Sequence, residues 1–101
     1  MKVIYSKDFS DDLDAVADFI GRDDPERAET FVKEIAWVCA FVVVPHPLIG
    51  RSRPEFGGYV YSFATHHRLI FYTFDTVFNR LIFHRLIKRQ DVSGLSIWAD
   101  R

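Results

Sequence analysis

The feature that most constrains this chain is a series of three β-prone runs in its second half. They are YVYSFA (59–64), HRLIFYTFD (67–75) and VFNRLIFHRLI (77–87), with one or two residues between them. Each is rich in the aromatic and β-branched residues that suit a pleated surface. A parallel neighbour would need a crossover of a dozen or more residues. Links this short leave an antiparallel meander. A three-stranded sheet must bury one face against another layer, and the first half of the chain is built to supply it.

Lys2 to Tyr5 is a short β-prone piece that fits an edge strand. Lys7 to Ile20 follows as a helix, with Phe9, Leu13, Val16, Ala17 and Ile20 along one face. Gly21 is placed to end it as a C′ residue. Asp8, Asp11, Asp12, Asp14 and Asp18 fall on the other faces, near the positive end of the helix dipole. Scattered around a helix, they do not converge on an ion, so they read as a solvated face. A second helix starts sharply, with Asp24 as N-cap and Pro25 at the first helical position. Its buried stripe is Ala28, Phe31, Val32, Ile35 and Cys39. The turn between the helices is short, so they pack as an antiparallel hairpin. The expected fold class is α+β, in one domain over residues 1–101: an N-terminal strand, a two-helix antiparallel hairpin, then a three-stranded antiparallel meander.

The end of the second helix breaks its amphipathic pattern. Residues 35–44 read IAWVCAFVVV. Trp37 and Phe41 lie off the buried stripe, and Val42, Val43 and Val44 are poor helix formers. A helix apolar all round has to be covered. Either the loop after Pro45 folds back over it, or it meets a partner or a second copy. Pro45, His46 and Pro47 stop the helix, and His46 there is structural.

Strand alternation sorts the later residues. In the middle run Arg68, Ile70, Tyr72 and Phe74 share a face, opposite Leu69, Phe71 and Thr73. In the last run Phe78, Arg80, Ile82, His84 and Leu86 share one face, and Val77, Asn79, Leu81, Phe83, Arg85 and Ile87 the other. His84 and Arg85 therefore point to opposite sides. The outer face of the sheet is left for function.

Charge divides the chain. Residues 1–50 hold five Lys/Arg and ten Asp/Glu, a net of −5, whereas residues 51–101 hold eight and four, a net of +4. A negatively charged partner would meet the C-terminal half. Arg51 and Arg53 flank a proline-bearing loop and suit an acidic partner, with Glu55 beside them. The single cysteine, Cys39, makes no internal disulfide and sits in an apolar run, as a buried hydrophobe in a reducing, cytoplasmic compartment. The longest apolar run is ten residues, where a bilayer span needs about 20. No membrane helix is expected. The four histidines and Cys39 lack metal-ligand spacing, so neither a metal nor another cofactor is expected.

The order of these pieces resembles one known family. FSDDLDAVADFI, DPERAETFVKEI, PHPLIGR, SRPEF, RLIFY and HRLIKRQDV, taken together over nearly the whole chain, resemble the RelE/ParE toxins of bacterial type II toxin–antitoxin systems, and the ParE branch most of all. The resemblance implies a strand, a helical hairpin and a three-stranded antiparallel sheet. It implies a cytoplasmic toxin, of the kind linked to growth inhibition and plasmid stabilisation, neutralised by a cognate ParD-like antitoxin, with higher-order complexes of the two included. ParE-type members act on DNA gyrase and block replication. RelE-type members cut messenger RNA on the ribosome.

Cutting RNA through a 2′-hydroxyl asks for a base, an acid and cations for the phosphate. Arg68 matches an arginine that RelE-type members carry at the start of the same strand. The strand on which they place paired lysines here holds Tyr59, Tyr61 and Phe63, and no lysine. Near the end, Arg89, Gln90 and Asp91 keep one basic position of a pair. Should the chain be a nuclease, Arg68, His84, Arg89 and Glu55 are its candidate catalytic residues. The missing lysines favour a non-enzymatic, gyrase-directed ParE-like toxin. A weakened, non-toxic binding module is the third reading. The candidate partner-binding residues are Trp37, Phe41, Arg51, Arg53, Arg68, Arg85 and Arg89: an antitoxin helix would bury Trp37 and Phe41 and cover the basic sheet face. Trp98, in the tail GLSIWADR, is expected to anchor that tail on the sheet.

Overall fold

A computed structural model describes residues 1–94. Trp98 lies outside the described residues. Strand β1 (Lys2–Tyr5) leads into helix α1 (Lys7–Gly21) through Ser6. The Ser6 hydroxyl accepts the Phe9 N–H at 3.0 Å and donates to the His84 carbonyl at 3.0 Å, so one N-cap also ties the helix start to the sheet. Gly21 falls inside α1, and Arg22 caps it in ordinary helical geometry. The expected left-handed glycine end is therefore absent. Helix α2 (Pro25–Val38) starts as its sequence predicts, the Asp24 carboxylate accepting the Arg27 N–H at 3.0 Å.

Past Val38 the helix widens into a π-helical turn, Cys39–Val43, with the Val44 N–H bonded to the Cys39 carbonyl at 3.0 Å. The valines stay helical because burial outweighs their propensity. Cys39 and Val43 are fully enclosed. Pro45 lacks the N–H that would extend the helix.

The sheet has five strands in the order β1-β5-β4-β3-β2. Its centre is the expected meander of β3 (Val60–Thr65), β4 (Arg68–Asp75) and β5 (Arg80–Ile87). β1 adds to β5 in parallel, and the two-residue β2 (Arg51–Ser52) adds to β3 antiparallel. The β3–β4 turn is His66-His67, both with positive φ (52° and 61°), the backbone that suits the right-handed twist of a two-residue hairpin. β5 begins at Arg80, later than the apolar pattern suggests. Residues 76–79 form a turn instead. The Asp75 carboxylate accepts the N–H groups of Val77 and Phe78 at 2.9 and 3.2 Å, and Asn79 takes φ 52°.

A β-bulge alters the expected faces of β5. Phe71 pairs with Arg85 but Tyr72 pairs with Phe83, so His84 is the extra residue. Leu81, Phe83 and Leu86 consequently share the helix-facing core with Phe9, Phe31, Ile35 and Tyr72. Strict alternation had put Leu86 opposite Phe83. The outer face is not bare either. Val60, Leu69, Phe71 and Ile87 form a second, smaller core against Phe56 and Val92. Those two come from short 3-10 turns at Pro54–Phe56 and Arg89–Gly94.

Tyr72 secures the crossing from helix to sheet. Its buried hydroxyl donates to the Pro47 carbonyl at 2.8 Å and accepts the Gly50 N–H at 3.0 Å. A Cβ at Gly50 would lie 2.5 Å from that hydroxyl and 2.8 Å from the Ser62 carbonyl. Only glycine fits there.

Candidate functional site

The basic residues gather in two places. On the side of the sheet that carries the second core, Arg51 of β2, Arg53 and Arg89 line a cavity of about 480 Å³, with Ser62, Leu69 and Val92 among its walls. Arg53 is fixed in place. Its Nε donates to the Ser62 hydroxyl at 2.8 Å, its guanidinium carbon lies 5.5 Å from the Phe71 ring centroid, and its side chain is 15% exposed. Glu55 lies 3.6 Å from its Nη1 but is itself exposed. Arg51 and Arg89 are exposed.

The second group sits where α1 meets the end of β5. Arg68, Arg85, Lys88, Asp12 and Asp91 line a cavity of about 250 Å³. Asp12 accepts Arg85 Nε at 2.7 Å, Arg85 Nη2 at 3.1 Å and the Leu86 N–H at 2.9 Å. The hydrogen bond to Asp12 raises the Arg85 pKa above its ordinary value. Arg85 is thus engaged in holding α1 to the sheet. Arg68 behaves differently. Its Nε is buried and has no hydrogen-bond partner among the described residues.

Asp12 is the residue that sequence reasoning missed. On sequence alone it groups with the solvated aspartates of α1. The signal was available on the helical wheel: Asp12 lies three residues after Phe9 and four before Val16, beside the apolar stripe.

The two candidate phosphate-binding arginines, Arg68 and Arg89, line different cavities. His84 is buried, its Nε2 2.9 Å from the Thr73 hydroxyl. Glu55 stands beside Arg53, Arg89 lines the larger cavity and Arg68 the smaller. β3 carries no cation. Among the described residues no group of three or more His, Cys, Asp and Glu side chains is arranged to hold a metal ion. Burial drives the Cys39 thiol up to about 12, so it is not poised as a nucleophile. No helix among the described residues is long and apolar enough to cross a membrane.

Trp37 and Phe41 remain uncovered. They are 57% and 63% exposed, with ring centroids 5.7 Å apart. The loop after Pro45 does not fold over them, and its Leu48 and Ile49 are exposed as well.

The sequence profile described as "ParE toxin of type II toxin-antitoxin system, parDE" matches residues 3–92, which includes both cavities and the Trp37–Phe41 pair. The chain belongs to the ParE toxin family. A solved structure, described as the chromosomal ParDE TA system from P. aeruginosa, has a chain similar in fold. The TM-score is 0.67 at 19% identity, covering 87% of this chain and 95% of that one. No curated protein sequence matches. Within the ParE family frame, the strand, helical hairpin and meander are the shared scaffold. The arginine-lined cavities and the bare aromatic pair are what this member displays on it.

Proposed function

We propose that this chain is a gyrase-directed, non-enzymatic toxin of a bacterial type II toxin–antitoxin pair, acting in the cytoplasm and held in check by a ParD-like antitoxin. The observation that carries this reading is that β3 holds no cation and that Arg68 and Arg89, the candidate phosphate-binding cations, line different cavities. A transesterification needs acid, base and phosphate-binding cations around one scissile bond. Here His84 is bonded to Thr73, Glu55 sits beside Arg53, and Arg68 and Arg89 line different cavities. Family membership supports the toxin role.

The exposed Trp37–Phe41 pair supports an antitoxin contact on the helical hairpin. Two aromatic rings on one helix end suit an amphipathic segment laid across them. The basic half of the sheet would take the acidic part of such a segment.

The deciding experiment is a gyrase supercoiling assay with the purified chain, alone and with its antitoxin. Dose-dependent inhibition that the antitoxin reverses is the expected result. Growth arrest on expression with supercoiling untouched would remove the gyrase reading. Cleavage of ribosome-bound message by the pure chain, lost in Arg68→Ala, would establish the RelE-like reading, which the Arg68 Nε, without a hydrogen-bond partner among the described residues, favours. No growth effect together with a stable complex from cells would establish the binding module.

A further inference from the structure

The cavity beside β2 gathers three arginines on one side of the sheet. We propose that Arg51, Arg53 and Arg89 form a binding site for a small polyphosphate-bearing ligand, of the nucleoside di- or triphosphate class.

Three separate elements bring these cations to one cavity: β2, the segment before the Pro54–Phe56 turn, and the Arg89–Gly94 turn. Among the described residues no carboxylate lines it; the exposed Glu55 lies outside the lining, 3.6 Å from Arg53 Nη1. The positive charge is local, because the chain as a whole carries −1. General attraction for polyanions does not account for it. Arg53 is oriented in advance by Ser62 and the Phe71 ring, so little rotamer freedom is lost when its guanidinium meets an anion.

Size and shape favour a small molecule over an acidic peptide. A cavity of about 480 Å³ lies within the roughly 300–1,000 Å³ of small-molecule sites. Carboxylates on one face of an extended peptide recur about 6–7 Å apart, which suits a stripe of cations along a surface. Three guanidiniums around one cavity suit charge concentrated on neighbouring phosphates. The apolar walls, with Ile49, Phe63 and Leu69 among them, leave room for an uncharged part of the ligand.

The test is calorimetric titration of the full chain with ATP, ADP, tripolyphosphate, adenosine and a glutamate-rich peptide. ATP and tripolyphosphate should bind and adenosine should not. Arg51→Ala and Arg89→Ala, both at exposed positions, should each weaken ATP binding at least tenfold. Arg80→Ala, which removes an exposed arginine outside this cavity, should leave it unchanged. Unaltered thermal melting will confirm that the variants are folded. Absence of polyphosphate binding at millimolar concentration would overturn the proposal. So would equal losses in Arg80→Ala, or binding of the acidic peptide alone. The site does not rest on the gyrase reading, and supercoiling assays play no part in its test.

Discussion

Asp12 and Arg85, 73 residues apart, form a two-point ion pair that joins α1 to the sheet at the bulge in β5. Asp12 also accepts the Leu86 N–H, a backbone donor beside the irregular pairing. The two side chains are 18% and 27% exposed, so solvent screens the pair less than it would a surface pair. Asp12→Ala removes all three acceptor contacts and leaves a partly buried guanidinium and an N–H behind. The expected loss is about 2–3 kcal/mol, read as a lower urea midpoint. Asp14→Ala, an exposed neighbour, should stay within about 0.5 kcal/mol.

Gly50 and Tyr72 should behave as a coupled pair. Tyr72→Phe removes the hydroxyl bonded to Pro47 and Gly50, at a cost of about 1–2 kcal/mol. Gly50→Ala drives a methyl into that hydroxyl and the Ser62 carbonyl, which costs more. In the double variant the clash with the hydroxyl is gone. Its destabilisation should therefore fall below the sum of the two single changes, by about 0.5 kcal/mol or more in a double-mutant cycle.

Cys39 gives a pH signature. Burial moves its thiol from an ordinary 9.0 to about 12. The unfolded chain gives up this proton above about pH 9 while the native state keeps it. The contribution of Cys39 to stability is therefore complete below pH 9 and is lost as pH rises toward 12, at about 1.4 kcal/mol per unit. Cys39→Ser, whose hydroxyl does not titrate there, should flatten that slope in denaturation curves. A thiol reagent at pH 8 should label Cys39 only after unfolding.

How much of this could be read from the sequence follows from how local each determinant is. The helix starts rest on Ser6, Asp24 and Pro25, whose caps act within four residues. The central meander rests on short links and β-prone composition. Both are properties of contiguous residues. The bulge at His84 depends on how β5 meets β4, and no glycine marks it, so period-two alternation carried Leu86 to the wrong face. β2 is two residues long and exists only because β3 is beside it. The pairing of Asp12 with Arg85 joins residues that no local pattern connects. The exposed state of Trp37 and Phe41 is not local either: it depends on where the loop after Pro47 goes, and Tyr72 fixes that by holding the Pro47 carbonyl and the Gly50 N–H. Arg68 and Arg89 are each identifiable by type, but their place in different cavities is a property of the three-dimensional arrangement.

Trp37 and Phe41 allow partner contact to be separated from folding. Both residues are more than half exposed, so replacing them removes less buried area than replacing a core aromatic. Trp37→Glu and Phe41→Glu should each lower unfolding stability by about 1–2 kcal/mol, below the roughly 3–5 kcal/mol of a fully buried aromatic. If an antitoxin segment covers the pair, each change should weaken the complex by about 2 kcal/mol or more, as aromatic anchors do, read as a faster dissociation rate. Unchanged affinity in the double variant would place the antitoxin elsewhere on the surface.

Arg68 offers the opposite separation. Its Nε is buried without a hydrogen-bond partner among the described residues, and an unmet buried donor costs about 1–3 kcal/mol. Arg68→Met keeps an aliphatic stem and removes the unmet donor. It should leave stability unchanged or raise it by up to about 1 kcal/mol, where truncation of a well-bonded buried arginine would lower it. If Arg68 contacts the target, growth arrest will weaken while the melting temperature holds or rises. A clear fall in stability would mean that Arg68 is tied into the fold, and its basic head would then no longer be available to a target.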